Sequence, residues 1–516
     1  MNFTKENALQ VAAIFFCMLF LVLIFINRDF LIFRDFSIIW NGALYIANGY
    51  NPVNDFIMPV SPISIYISGF FLKVFGSSWL IFQITQLFIN LLLLITIFFL
   101  TQKYSINNNL IKINLLVYTF LYLIFLTHPW YNNFAALFFL ICIVLVNIKN
   151  AFSIAIAGTI TAFTFFTKQD FGLLTFASCI AILINIYWNK DSRKNFNPLL
   201  VFFLSFAASS SLLMSLLIRW DDKTSFEIYN EIFINRVVRL FIVPELKNVL
   251  MLILGSWCIY ISFKNSQIFF SYGLIIFVAC LTSILGGMAH THFYYLFTIP
   301  PIIHFCFQNL EYKNHLFILM PIIIFLIFPP AKLSIHIIEN IVTGAYESEF
   351  FNKRNISTDI EIINLSSCSK QLVNIHGPKD FCEILKVVKE NLLKTQSIQG
   401  NVLNITEINF IGALLGIPPN KGHPLWYKND QTLGKSFQTK LYDELLNGKY
   451  RIVLIQNVKK DYSSAKYRNK IIKLMQKNSI YRQHNEIFKS PMCMQGNLDI
   501  QECGISIFVK RANVDL

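Results

Sequence analysis

An arginine and an aspartate stand side by side at Arg34-Asp35, shortly after the first long apolar run of the chain. They open the segment Phe36-Ser37-Ile38-Ile39-Trp40-Asn41-Gly42-Ala43, which continues through Gly49-Tyr50-Asn51-Pro52 to Pro59-Val60-Ser61-Pro62. Charge at the edge of a bilayer is expensive and is kept mostly for function. A carboxylate flanked by a guanidinium can stay ionised there and accept a proton from a hydroxyl group. The competing reading of the pair is a structural interfacial ion pair. Other groups of chemical interest are Lys168-Gln169-Asp170, the arginines Arg219, Arg236 and Arg239, and His290 and His292 in Ala289-His-Thr-His-Phe-Tyr294-Tyr295.

The elements that position these residues are membrane helices. Of 516 residues, 55% are hydrophobic and 14% are charged. Soluble domains carry roughly 25% charged residues, and repeated apolar stretches of about 20 residues are transmembrane helices. Apolar runs predict spans near 8–27, 79–100, 113–127, 134–148, 151–167, 172–188, 198–218, 248–263, 267–286, 293–308 and 315–331. The run at 60–75 is short and opens between Pro59 and Pro62, so it reads as a juxtamembrane or re-entrant helix. The expectation is an α-helical polytopic membrane domain of about 11 transmembrane helices. The N-terminal run, with no small-residue cleavage site behind it, reads as a retained signal-anchor.

The formal net charge of +14 does not indicate a nucleic-acid partner, because no basic, aromatic-interleaved soluble module accompanies it. In a membrane protein a basic surplus first marks inside loops and contact with anionic lipid. With the N-terminus inside, the inner loops hold Lys103, Lys112, Lys149, Lys190, Arg193, Lys194, Lys264 and Lys313, against only Asp191 and Glu311. The outer face then carries the 28–59 loop, the 168–170 junction, the 219–247 loop, the 290–292 turn and the tail. Arg28, Arg34, Lys168, Arg219, Lys223, Arg236, Arg239 and Lys247 fall on that face too, where topology disfavours cations. They suggest an anionic ligand at the outer leaflet. Snorkelling, or pairing with Asp29, Asp221, Asp222, Glu227 and Glu231, is the alternative for any one of them.

Beyond 331 the composition changes. Strand-like runs at 451–457 and 504–510 alternate with helical stretches at 383–394, 436–447 and 463–477. The expected organisation is therefore a membrane domain over 1–331, with its first outer loop at 28–59 and a juxtamembrane helix at 60–75, and an extracytoplasmic (periplasmic) α/β domain over 332–516. Six cysteines (Cys17, Cys142, Cys179, Cys258, Cys280, Cys306) lie in apolar spans and read as packing residues. Cys368, Cys382, Cys493 and Cys503 lie in the tail, where three disulfide connectivities are open, with 368–382 and 493–503 nearest in sequence. Sequons at Asn355, Asn364 and Asn404 would matter only if the outer face were an endoplasmic lumen; in a bacterium they are coincidence, the favoured reading.

No Gly-rich phosphate loop, HExxH helix or nucleophile elbow is present. Acids cluster at the outer ends of spans rather than at the bilayer midplane, which argues against ion-coupled transport and a lipid-glycan flippase. Asp35-Phe36, Trp40-Asn41-Gly42-Ala43, Gly49-Tyr50-Asn51-Pro52, Pro59-Val60-Ser61-Pro62 and Phe75-Gly76 resemble the first outer loop of the GT-C superfamily of membrane glycosyltransferases, which use polyprenyl-phosphate-linked sugars as donors. The resemblance implies that an acid at the exit of the first span is the general base. Asp35 is the first candidate, with Asp29 and Asp55 behind it and Arg34 and Asp55 on substrate.

Lys168-Gln169 resembles a Lys-Gln element common among bacterial members, implying phosphate binding or stabilisation of the leaving group. His290, His292 and Tyr294 resemble the His/Arg-Tyr-Tyr start of a late span in related enzymes. The resemblance further implies a donor of polyprenyl-phosphate sugar and a glycan or lipid-linked acceptor, in a bacterial inner membrane, with modification of O-antigen favoured. Some relatives use a divalent ion on outer-loop acids and others need none, so the metal stays open. An O-antigen polymerase or ligase, relying on arginines in the 219–247 loop, is the second enzyme reading.

Overall fold

The computed structural model describes residues 35–52, 54–58, 62–103, 129–188, 197–217, 361–393, 401–425, 427, 435–457, 465–484, 487–488 and 504–511, with scattered positions elsewhere. Two compact units account for these residues. One comprises Met1–Asn27, Gln86–Leu216 and Arg236–Thr343; the other comprises Arg28–Thr85, Leu217–Asn235 and Gly344–Leu516. The described residues of the first outer loop fall in the same unit as those of the C-terminal tail.

In chain order the helices of the N-terminal half are α1 (Asp35–Ala47), α2 (Pro62–Phe75), α3 (Trp79–Lys103), α4 (Tyr131–Val146), α5 (Ala151–Thr167), α6 (Gln169–Trp188) and α7 (Pro198–Leu217). Among the described residues three helices are long and apolar enough to cross a membrane: Trp79–Leu100, Gln169–Ile186 and Pro198–Leu217. The expected spans at 113–127, 293–308 and 315–331 lie outside the described residues, and those at 8–27, 248–263 and 267–286 are described only at scattered positions. Helix α2 has 14 residues, roughly 21 Å at 1.5 Å per residue, which is shorter than a hydrocarbon core of about 30 Å.

In the first unit α4, α5 and α6 pack on one another. Their polar side chains turn back onto the helix. Thr161, Thr164 and Thr175 donate to the carbonyls of Ala157, Ile160 and Phe171, four residues earlier. That satisfies hydroxyl groups in surroundings where an unpaired one is costly. Cys142 and Cys179 are free and buried there, as packing residues would be.

In the second unit α1 packs on α2. A Cβ on Gly42 would lie 2.8 Å from Ile65 Cγ2, and one on Gly69 would lie 2.7 Å from Ile46 Cγ2, so the two helices approach closely where side chains are missing. The tail supplies β1 (Ile362–Asn364), β2 (His376–Pro378), α8 (Lys379–Leu393), β3 (Val402–Ile405), α9 (Ile411–Leu414), α10 (Lys435–Leu446), β4 (Ile452–Gln456), α11 (Ala465–Lys477), β5 (Tyr481–Gln483) and β6 (Ile505–Lys510). β1 and β2 form an antiparallel pair. The larger sheet runs β3-β4-β6-β5, with β3 parallel to β4 and the other pairs antiparallel.

All five residues of β4, Ile452-Val-Leu-Ile-Gln456, are buried. A strand covered on both faces reads as a continuous apolar run rather than an alternation. Helix α8 buries Phe381, Ile384, Leu385, Val388 and Leu392, the spacing of a single helical face. Cys368 and Cys382 form a disulfide, with Cα atoms 5.4 Å apart. Cys493 and Cys503 lie outside the described residues.

Candidate functional site

Helix α1 begins at Asp35 and runs through the Trp40-Asn41-Gly42-Ala43 motif. It ends where Gly49, at φ +92°, lets the backbone fold back. The Gly49 amide donates to the Ile46 carbonyl and the Tyr50 amide to the Tyr45 carbonyl. The Asp35 side chain lies outside what is described, as do Arg34, Asp29, Arg219, Arg236, Arg239, His290, His292 and Tyr294. What the structure does describe is how the first turns of this helix are held.

Ser37 Oγ donates to the Glu407 carbonyl at 3.0 Å and accepts from Asn409 Nδ2 at 3.2 Å. The loop that receives it, just past β3, is internally fixed. Thr406 Oγ1 donates to Asn404 Oδ1 at 2.7 Å, Asn404 Nδ2 donates to the Ile408 carbonyl at 2.7 Å, and the Glu407 amide donates to Gln456 Oε1 at 2.8 Å, at the end of β4. One turn further on, Trp40 is fully buried against Trp79, Phe82 and Phe410, its ring centre 4.6 Å from that of Phe410. Polar contacts thus set the register of α1 on the tail, and aromatic burial supplies most of its holding energy.

The next segment of the outer loop docks as a strand. The Ile57 amide donates to the His423 carbonyl at 2.8 Å, and the Leu425 amide donates to the Ile57 carbonyl at 3.2 Å. Ile57 enters the tail core with Leu403, Tyr427, Phe437 and Tyr450. Asp55, expected on substrate, accepts from the Asn51 amide at 2.8 Å and closes the Asn51–Asp55 turn.

The His423 loop rests on a polar cluster. His423 Nε2 lies 3.0 Å from Glu444 Oε2, Tyr450 donates a short hydrogen bond to the same carboxyl, and Lys449 reaches its other oxygen at 2.6 Å. His423 Nδ1 contacts the Tyr427 hydroxyl at 3.1 Å. Burial opposes ionisation of Glu444, but hydrogen bonds from His423, Lys449 and Tyr450 outweigh it and hold the carboxyl at about 2. Burial also lowers His423 below its ordinary value despite the carboxylate beside it. The spacing is that of an ion pair, yet desolvation of the imidazole is the larger effect, so the contact is a neutral N–H donated to a carboxylate.

In the first unit, Lys168 sits between α5 and α6, its amide on the Thr164 carbonyl and its carbonyl taking the Gly172 amide. Its side chain is 3% exposed, 3.4 Å from Asp170 Oδ2 and 5.1 Å from the Phe171 ring centre. Gln169 begins α6 and is half-buried. The cation expected on phosphate is therefore a buried, carboxylate-paired lysine.

Sequence reasoning did not single out the Gln86–Asn90–Asn133 chain in this unit, where Asn133 Nδ2 donates to Gln86 Oε1 at 2.9 Å and Gln86 Nε2 to Asn90 Oδ1 at 2.6 Å. Gln86 and Asn90 one helical turn apart were the available signal. Among the described residues no three His, Cys, Asp or Glu side chains gather as a metal site.

No family model matches the chain, and no curated protein matches it. Among solved structures it is similar to the oligosaccharyltransferase of Archaeoglobus fulgidus, in a crystal structure tethered by a disulfide bond to an acceptor peptide containing the NVT sequon. The similarity covers 87% of this chain and 69% of that chain, at 10% identity and a TM-score of 0.45. A likeness at that identity and score fixes neither fold nor activity.

Proposed function

We propose that the chain is an integral membrane glycosyltransferase of the GT-C type. It moves a sugar from a polyprenyl-phosphate-linked donor to a glycan or lipid-linked acceptor on the outer face of a bacterial inner membrane, with O-antigen or another surface polysaccharide as the favoured acceptor. Asp35 takes the proton of the acceptor hydroxyl as its oxygen attacks the anomeric carbon. The bond from that carbon to the phosphate oxygen breaks, and the electron pair leaves on polyprenyl phosphate. Lys168 and the outer-face residues Arg34, Arg219, Arg236, Arg239, His290 and His292 are the proposed partners of the phosphate, with Gln169, Asp55 and Tyr294 on substrate. No metal-dependent step is assigned.

The observation that carries the reading is the construction of the first outer loop. Asp35 opens a 13-residue helix whose next residues are fastened to a folded tail by Ser37 and Trp40. A helix held this firmly fits a base that must meet a hydroxyl at hydrogen-bond range. The Cys368–Cys382 disulfide supports an oxidising compartment for the tail, since such bonds persist outside the cytoplasm.

The test is transfer of radiolabelled sugar from a polyprenyl-phosphate donor in membranes carrying the protein. Asp35→Asn should lower transfer by roughly 10²–10⁴-fold, the usual worth of a general base, without changing the amount of folded protein. Retained transfer in that variant rules out Asp35 as the base. Mass spectrometry of the surface glycan identifies the acceptor.

A further inference from the structure

Helix α11 follows β4 and begins at Ala465. Arg468, in its first turn, is 5% exposed, and its Nε and Nη1 nitrogens are buried with no hydrogen-bond acceptor among the described residues. An ionised guanidinium out of water is strongly unfavourable unless its donors are met. Its position makes matters worse, because the first turn of a helix carries positive dipole charge that repels a cation. Glu407 acts on Arg468 through space, and among the described residues no carboxylate lies at ion-pair distance from it.

Three independent features converge here. The parallel strands β3 and β4 both end at this edge of the sheet, through Ile405 and Gln456. Ligands of open α/β sheets gather beyond the carboxyl ends of parallel strands. A helix N-terminus presents free amides and positive dipole to an anion. The third feature is the buried arginine itself, whose unmet donors are the complement of a planar or tetrahedral oxyanion.

We propose that Arg468 and the N-terminal turn of α11 bind an oxyanion, a phosphate or carboxylate group of a ligand, at the carboxyl edge of β3 and β4. The same edge holds Ser37 through Glu407 and Asn409, so an anion bound there stabilises the element that fixes the start of α1. Nothing in this depends on the role given to Asp35.

The experiment uses the full chain in phosphatidylcholine nanodiscs, which carry no net lipid charge. Thermal unfolding is followed while inorganic phosphate or acetate replaces chloride at constant ionic strength. The expected result is a melting temperature that rises and saturates with one of the two anions in the wild type, as specific binding to the folded state requires. Non-specific stabilisation by phosphate does not saturate and survives mutation.

Arg468→Leu should abolish the saturable rise while melting no lower than the wild type without anion, since it removes an unmatched buried charge. Arg468→Lys, which keeps the charge and loses the planar donors, should move the midpoint at least tenfold higher in anion and carries the test if the leucine variant does not fold. A rise with phosphate alone assigns phosphate, and one with acetate alone assigns carboxylate. No saturable rise with either anion in the wild type overturns the proposal. So does an equal rise in Arg468→Leu, or an unchanged midpoint in Arg468→Lys.

Discussion

Ser37 and Glu407, 370 positions apart in the chain, are joined by a hydrogen bond of 3.0 Å from the serine hydroxyl to the glutamate carbonyl. Asn409 completes the contact from the other side at 3.2 Å. Ser37 is fully buried, so its hydroxyl cannot recover a water partner when the tail contact is lost. The contact ties the helix that begins at Asp35 to the end of β3.

Removing the hydroxyl with Ser37→Ala should cost about 0.5–1.5 kcal/mol of stability, the usual net worth of an internal hydrogen bond. Asn409→Ala should cost a similar amount. If the two side chains act as one contact, the double variant will lose less than the sum by about 0.5 kcal/mol or more. Denaturant unfolding of the three variants measures this, and strict additivity would show that Ser37 and Asn409 stabilise the unit separately. Under the glycosyltransferase reading, Ser37→Ala should also reduce turnover more than donor affinity, because it loosens the position of the base.

The close crossing of α1 and α2 gives a second prediction. A methyl group on Gly69 would meet Ile46 Cγ2 at 2.7 Å and Ile46 Cβ at 2.8 Å, atoms too near the backbone to swing aside. Gly69→Ala should destabilise the unit by about 1–3 kcal/mol, the range for an overpacked core. A melting temperature equal to the parent's would mean that the helices separate at little cost.

Much of the secondary structure was legible because it is local. The apolar runs at 79–100, 151–167 and 198–218 are helices α3, α5 and α7, and the strand-like runs at 451–457 and 504–510 are β4 and β6. Periodicity and propensity act over a few neighbouring residues, and these segments have both. The binding of Ile57 to the His423 carbonyl, or of Trp40 to Phe410, has no such signature, since each joins segments separated by more than 300 residues. Lys168 is a different case. Its type and place suggested a cation for phosphate, and the structure adds that Asp170, two residues on in the same motif, lies 3.4 Å from it. Spacing showed that the two could meet but not that the lysine would be buried.

The disulfide gives a third prediction. Cys368 and Cys382 enclose a loop with a sequence separation of 14, for which restriction of the unfolded chain is worth roughly 3 kcal/mol. Reducing agent, or Cys382→Ser, should lower the melting temperature of the tail by several degrees. Mass spectrometry after alkylation of the unreduced protein should find the pair linked. A tail that melts identically with and without reductant would show that this crosslink adds nothing to folding.

The last prediction concerns acid. His423 is held below its ordinary value of about 6.5 by burial, and it faces Glu444, Tyr450 and Tyr427, with Lys449 and Lys440 adding positive charge. A base whose folded value is depressed binds fewer protons folded than unfolded, so its contribution to stability is present above about 6.5 and is lost as pH falls below that value. Glu444, lowered from 4.5 to about 2, acts in the same direction at lower pH: its contribution is full above 4.5 and disappears toward 2. The difference in melting temperature between parent and His423→Gln isolates the histidine. Between about pH 7.5 and about pH 5 the parent should lose stability more steeply than the variant. A histidine charged in the fold by its carboxylate would have a raised value and would give the reverse, a parent that gains on the variant as pH falls through neutrality. The sign of that difference therefore decides whether the loop bearing Ile57's partner rests on a neutral imidazole or on an ion pair.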